Sequence, residues 1–275
     1  MRTFEIPIAS MRFPAIAAGP ASGDLAILLH GFPQTCRAWT AQVQALGDAG
    51  WHAVAPDIRG FAPTARPEPL SEYAQDRVAS DVLAIADQLG ADSFHLIGHD
   101  LGGIIAWDVA RRHPARVRTL AAASTPHLAP FAAALSDKPD GRIPPFDLFR
   151  QPGSAERVML DNDAAVLRAG YAGLEQHLID EYVGVFSQPG ALTAALNHFR
   201  AFDFDSWRAL PASTVPTLLA WGADDPYLAG VTARKTRAHV SAPYTERELE
   251  GVAHWLPELA AENLTALLLA HLGTA

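Results

Sequence analysis

The chain has a single cysteine, Cys36, in 275 residues. No intrachain disulfide can form, which fits a reducing compartment and leaves the fold to be held by its core. No apolar run reaches the roughly 20 residues of a membrane-spanning helix. The first residues, MRTFEIPIASMRFPAIAAG, hold nothing like the apolar h-region of a secretion signal. A cytoplasmic location without membrane association is therefore expected. Positive charge is scarce: 21 Lys and Arg stand against 30 Asp and Glu, a net charge of −9. A nucleic-acid partner needs a basic stripe to neutralise phosphates, so that class is excluded. Eleven histidines are present, but none falls in an HExxH or comparable ligand spacing, so neither a metal nor another cofactor is expected. Internal repeats and low-complexity tracts are also missing.

What is present is a chain with 49% hydrophobic and 19% charged residues, enough to bury a full core. Short apolar runs alternate with longer amphipathic segments, the pattern of parallel strands joined by helices. The candidate strands are Ala26–Leu29, His52–Ala55, Phe94–Ile97, Arg118–Ala123 and Thr217–Trp221, each apolar at its centre as in strands buried on both faces. Ser71–Leu89 carries Val78, Val82, Ile85 and Leu89 at helical spacing and stops at Gly90. Gly103–His113 reads as a helix halted by Pro114. The alternation breaks between about His127 and Pro211, where DKPDGRIPP is followed by helical periodicity over Ala164–Leu178 and Ile179–Phe186. The fold class expected is α/β: a mostly parallel central sheet with helices on both faces. Residues 1–126 and 211–275 form its core, and 127–210 a helical cap inserted over the strand ends.

The segment FHLIGHDLGGIIAW places Asp100 between a buried strand and a helix, with Gly98, Gly102 and Gly103 supplying the small neighbours a tight turn needs. This is the strand–turn–helix context of a nucleophile elbow, G-x-Nu-x-G, with aspartate at the nucleophile position. An aspartate that merely caps the helix would look the same in isolation. Two further segments tip the balance. LLAWGADDP puts Asp225 after a strand, and LEGVAHW puts His254 on a late loop, so nucleophile, acid and base occur in the chain order of a hydrolytic triad. Upstream, LLHGFPQ follows an apolar strand and needs Gly31 for its turn. The backbone N–H groups of Phe32 and Leu101 are the expected oxyanion donors. Trp39, Trp51, Trp107 and Trp207 are expected in the core, and Trp255 at the site. His99 is expected to support the turn, while Asp57 and Arg59 anchor a loop.

These motifs resemble the epoxide hydrolase and haloalkane dehalogenase branch of the α/β-hydrolase superfamily. The matching segments are HGFPQ (His30–Gln34), DIRGF (Asp57–Phe61), GHDLGG (Gly98–Gly103), WGADD (Trp221–Asp225) and GVAHW (Gly251–Trp255), with a cap segment SQPGALTAALNHFRA (Ser187–Ala201). The resemblance covers nearly the whole chain and implies an α/β-hydrolase fold. It places the acid at Asp225 rather than Asp224. It also implies a two-step hydrolysis: Asp100 displaces a leaving group from an alkyl carbon, and water activated by His254 then hydrolyses the aspartyl ester.

The leaving group stays open. Epoxide hydrolases of this branch polarise the epoxide with two cap tyrosines, whose counterparts here are Phe146 and Phe199, and phenylalanine cannot donate. Tyr171, His177, Tyr182 and His198 are the remaining donor candidates in the cap. Haloalkane dehalogenases place a tryptophan after the nucleophile, where this chain has Leu101. The cap and HGFP loop resemble the epoxide hydrolases more closely. The alternatives are a haloalkane or haloacid dehalogenase, a natural-product tailoring enzyme, or a ligand-binding member of the fold. The expected partner is a small-molecule substrate, with the protein itself a monomer or homodimer.

Overall fold

The computed structural model describes residues 1–137 and 145–274. The chain begins with β1 (Arg2–Ile8), β2 (Met11–Ala18), β3 (Leu25–Leu29), α1 (Thr40–Asp48) and β4 (His52–Pro56). It continues through α2 (Gln75–Gln88), β5 (Phe94–His99), α3 (Leu101–Arg112) and β6 (Val117–Ala123). Six helices follow among the described residues: α4 (Leu128–Asp137), α5 (Phe146–Phe149), α6 (Ser154–Gly170), α7 (Gln176–Phe186), α8 (Ala191–Ala201) and α9 (Phe204–Trp207). The chain then closes with β7 (Thr217–Gly222), α10 (Gly230–Lys235), β8 (Tyr244–Leu249), α11 (Leu256–Leu259) and α12 (Ala261–Leu272). Of the DKPDGRIPP stretch, residues 138–144 lie outside the described residues.

Among the described residues, eight strands form one sheet in the order β1-β2-β4-β3-β5-β6-β7-β8. β1 and β2 pair antiparallel, as do β2 and β4; the remaining neighbours are parallel. The side-chain alternation of a strand divides the interior in two. Leu25, Ile27 and Leu29 of β3 face one cluster, shared with Val82 of α2 and Ile104 of α3. Ala26 and Leu28 face the other, with Val43 of α1 and Leu268 of α12. Helices thus cover both faces, and each fully buried Leu or Ile contributes about 1.5–3 kcal/mol relative to exposure.

The five expected strands are all present, with ends moved by one or two residues. Three others are not among those expected, two of them because they carry no apolar run. β1 is largely exposed along RTFEIPI, and β8, YTEREL, is an edge strand with polar residues throughout. Their pairing comes from backbone hydrogen bonding to a buried neighbour, which composition does not reveal. β2 is largely buried, but the FPAIAA stretch of its MRFPAIAA is rich in small residues and interrupted by Pro14. The expected helix over Ala164–Leu178 is corrected: α6 ends at Gly170 and α7 starts at Gln176. The break accommodates Gly173 at φ +93° and directs the Tyr171 hydroxyl onto the Pro33 carbonyl oxygen. Ser71–Leu89 is likewise two pieces, because Ala74 is extended at ψ 144° between a short 3-10 turn and α2.

The glycines around Asp100 are dictated by space. A Cβ on Gly98 would lie 2.3 Å from Gly102 O, and one on Gly102 would lie 2.2 Å from Leu29 O. Backbone on backbone cannot yield, so Gly98→Ala should lower unfolding stability by about 3 kcal/mol or more. Gly184, exposed inside α7 with open space at its Cβ position, behaves oppositely. Gly184→Ala should raise stability by about 0.5–1 kcal/mol through helix propensity. Urea melts of the two variants check both signs.

Candidate active site

Asp100 is the residue between β5 and α3, held at φ +49°, ψ −116°. A non-glycine residue at positive φ is strained, and such strain concentrates where a side chain must be presented. The turn is pinned on both sides: Asp100 N–H donates to Ala123 O at 3.2 Å, while Asp100 O accepts from Ile104 N–H and from Thr125 Oγ1, each at 3.0 Å. The side chain is thereby turned toward the loop after β3. There Phe32 N–H donates to Asp100 Oδ1 at 2.8 Å. Leu101 N–H belongs to the first turn of α3, where N–H groups have no partner within the helix.

His254 lies on the loop between β8 and α11. Its Nε2 is 3.4 Å from Asp100 Oδ2, and its Nδ1 is 2.7 Å from Asp225 Oδ2. Asp225 is fully buried, and its Oδ1 accepts from the N–H groups of Tyr227 (2.7 Å) and Leu228 (3.0 Å). Asp224 is exposed. The His254 carbonyl oxygen accepts from His99 Nε2–H at 2.9 Å and from Ser124 Oγ–H at 3.0 Å, which fixes the loop from below. Burial opposes a charge on His254, but Asp225 and Asp100 outweigh it and raise its pKa to about 10. Burial would also raise the Asp100 pKa, yet hydrogen bonding to His254 and the imidazolium charge hold it below the usual carboxylate value. At neutral pH the arrangement is an ionised carboxylate beside an imidazolium.

Asp100 and His254 open onto a cavity of about 310 Å³. Phe146, Phe199 and Trp255 line it as expected, joined by Phe32, Phe149 and Met159. The other pocket candidates do not line it. Tyr171, fully buried, donates to Pro33 O. Tyr182, also buried, donates to Glu258 Oε1 at 3.0 Å. His198 Nε2–H donates to Arg59 O at 2.7 Å, because a residue next to Phe199 on a helix points roughly 100° away from it. His177 is exposed beside Glu175. Tyr171, Tyr182 and His198 thus tie the helices between β6 and β7 to the core and leave the cavity apolar.

Arg59 holds Asp81 through two 2.6 Å bonds, and Asp57 Oδ1 accepts from Cys36 N–H at 2.8 Å, so both are loop anchors. Two polar residues near the site escape the sequence reading. Tyr227 lines the cavity; its position two residues after Asp225 in WGADDPY is the signal that could have found it. Glu258 receives Gln34 Nε2–H at 2.7 Å as well as Tyr182, and its Oε2 is buried with no partner among the described residues. Burial, only partly offset by those donors, pushes the Glu258 pKa to about 7. Because the folded state binds this proton more tightly than the unfolded one, the contribution is fully present below the unfolded value and is lost as pH rises through about 7. Glu258→Gln should therefore flatten the decline of melting temperature between pH 5 and 8. The difference corresponds to on the order of 3 kcal/mol at the alkaline end, read by calorimetry across pH.

Three comparisons with known proteins agree with this architecture. The sequence profile of the alpha/beta hydrolase fold matches residues 26–261. Epoxide hydrolase A of Mycobacterium tuberculosis is 29% identical, over 94% of this chain and 93% of its own length. Human epoxide hydrolase 4 is 32% identical over 92% of this chain and 74% of its own length. The crystal structure of epoxide hydrolase A from Mycobacterium thermoresistibile superposes with a TM-score of 0.88 at 25% identity, covering 98% of both chains.

Proposed function

The chain belongs to the alpha/beta hydrolase fold family, and on that footing we propose that it hydrolyses epoxides through an ester formed on Asp100. The observation that carries the reading is the Asp100 carboxylate at a strained turn, hydrogen-bonded to Phe32 N–H and facing His254, at the wall of an apolar cavity. A carboxylate is a weak nucleophile toward esters and amides, so its substrate must carry strain or a good leaving group on an alkyl carbon. The names of the relatives favour the epoxide. The helices between β6 and β7, residues 127–210, act as the cap that closes the cavity.

Oδ2 of Asp100 attacks a ring carbon, the carbon–oxygen bond of the epoxide breaks, and the departing oxygen gains a proton to become an alcohol. The Asp100 carbonyl oxygen, Oδ1, stays at Phe32 N–H. A water then loses its proton to His254 Nε2 and adds to Asp100 Cγ. The tetrahedral oxyanion is held by the N–H groups of Phe32 and Leu101, and its collapse frees the diol and restores the carboxylate. Asp225 orients His254 and stabilises the imidazolium. Esterification removes the Asp100 charge, one of the two that raise the His254 pKa, so the imidazolium becomes more acidic and loses its proton, leaving the neutral base that activates water.

His254→Ala should stop the reaction at the ester. Intact-mass spectrometry after incubation with a panel of epoxides and alkyl halides reads the chemistry directly: an epoxide adds its whole mass to Asp100, whereas a halide adds only its alkyl group in place of hydrogen. Adducts from halides but from no epoxide would replace this reading with a dehalogenase.

Asp225→Asn should slow ester hydrolysis by about 10²–10⁴-fold while leaving ester formation nearly intact; Asp224→Asn should change neither. Hydrolysis of the wild-type ester should rise with pH to a plateau, because the neutral imidazole is the active form. Its apparent pKa should lie below the value of about 10 set by both carboxylates in the free enzyme. Stopped-flow fluorescence across pH measures both effects.

A further inference from the structure

Opening an epoxide leaves negative charge on an oxygen that moves away from the attacking carboxylate, on the far side of the carbon. His254 has both ring nitrogens directed at carboxylates, Nε2 at Asp100 Oδ2 (3.4 Å) and Nδ1 at Asp225 Oδ2 (2.7 Å), and so has no N–H left to meet that charge. Phe146 and Phe199, which line the same cavity as Asp100 from the helices between β6 and β7, have no donor to offer. An alkoxide left unpaired in an apolar cavity is costly, so some group must supply a hydrogen bond.

Among the described residues that line the cavity, only three side chains carry an N–H or O–H: His254, Trp255 and Tyr227. His254 is engaged by the two carboxylates. Trp255 Nε1–H already donates to Gly170 O at 3.1 Å. The Tyr227 hydroxyl makes no hydrogen bond among the described residues. Its backbone N–H is fixed on Asp225 at 2.7 Å, and its ring stands at 87° to the His254 imidazole with centroids 4.9 Å apart. Tyr227 also lines a small recess next to the cavity, again together with Asp100 and His254.

We propose that Tyr227 is the proton donor to the epoxide oxygen, a catalytic role supplied by the loop after β7 in place of the cap. The proposal rests on the epoxide reading above. Burial, reinforced by the negative charges of Asp100 and Asp225, raises the phenol pKa, so the hydroxyl stays protonated until an alkoxide forms beside it. The step balances without any added reagent. The Asp100–carbon bond forms, the carbon–oxygen bond breaks, and the Tyr227 proton passes to the departing oxygen. The phenolate then regains a proton at the expense of the His254 imidazolium, whose ring it contacts, with the water required for hydrolysis carrying the proton between them. What remains is an ester, an alcohol, a neutral phenol and a neutral imidazole ready to activate water.

The test is pre-steady-state kinetics of wild type and Tyr227→Phe with styrene oxide, an uncharged substrate suited to an apolar cavity. The substitution keeps the ring against His254, and thermal melting should confirm an unchanged fold. Ester formation on Asp100 should slow by about 10²–10⁴-fold, while ester hydrolysis should stay within about threefold, since that step needs no donor at the departing oxygen. Ester formation at the wild-type rate in Tyr227→Phe would overturn the proposal and leave the epoxide reading standing. So would equal losses in both steps with a shifted pH profile for hydrolysis, which would make Tyr227 a support for His254. No Asp100 ester in the wild type, with styrene oxide or any other epoxide, would remove the epoxide reading and this inference together.

Discussion

The site depends first on one strained residue. Asp100 at φ +49° can project its carboxylate over the end of the sheet only because α3 approaches β5 and β3 closer than any side chain on Gly98 or Gly102 would permit. The strain is sustained by what surrounds it. Asp100 N–H and O are bonded to Ala123, Ile104 and Thr125, and its carboxylate to Phe32 N–H, so relaxing φ would break several hydrogen bonds at once. The parallel sheet makes this possible, because β3, β5, β6 and β7 end on the same side and bring their following loops together. Asp225 and Phe32 reach Asp100 and His254 as a consequence of strand order alone.

A second constraint is the attachment of the helices between β6 and β7. Their polar side chains are spent on the core: Tyr171 on Pro33, Tyr182 on Glu258, and His198 on Arg59. Trp255 reciprocates from the core by donating to Gly170 O. Three of these contacts end on, or next to, the loops that carry Phe32 and His254, so the placement of these helices and the geometry around His254 share the same hydrogen bonds. The apolar lining follows: a phenol turned outward to hold a loop is unavailable to the cavity.

Much of this is legible in the sequence, and the limits have physical causes. The Asp100 turn shows itself because glycine is forced at fixed offsets from a buried strand, and the order Asp100, Asp225, His254 follows from the topology. The parallel core strands show themselves because burial on both faces demands continuous apolar residues. β8 does not, since a half-exposed edge strand such as YTEREL satisfies its backbone through β7 and places no demand on its side chains. Pocket lining is the least legible. Whether Tyr171, Tyr182 or His198 faces the cavity depends on helix rotation and on partners more than 70 residues away, which local spacing does not encode. Tyr227 is the converse case: its proximity to His254 follows from the hydrogen bond its own backbone makes to Asp225.

In the mechanism proposed above, an aspartate nucleophile in place of serine changes what the histidine must do. A serine hydroxyl has to lose a proton before it attacks, so its histidine must rest neutral. A carboxylate attacks as it stands, and a resting imidazolium beside it does no harm to proton bookkeeping while favouring the ionised form. In a low-dielectric site the interaction of His254 with each carboxylate is strong. Neutralising Asp100 by esterification is therefore a large perturbation of the imidazole, and it arrives at the moment a base is required. The first chemical step thus prepares the second: the same charge that holds the proton on His254 in the free enzyme disappears when the substrate becomes covalently bound, with no conformational change needed to switch the residue from acid to base.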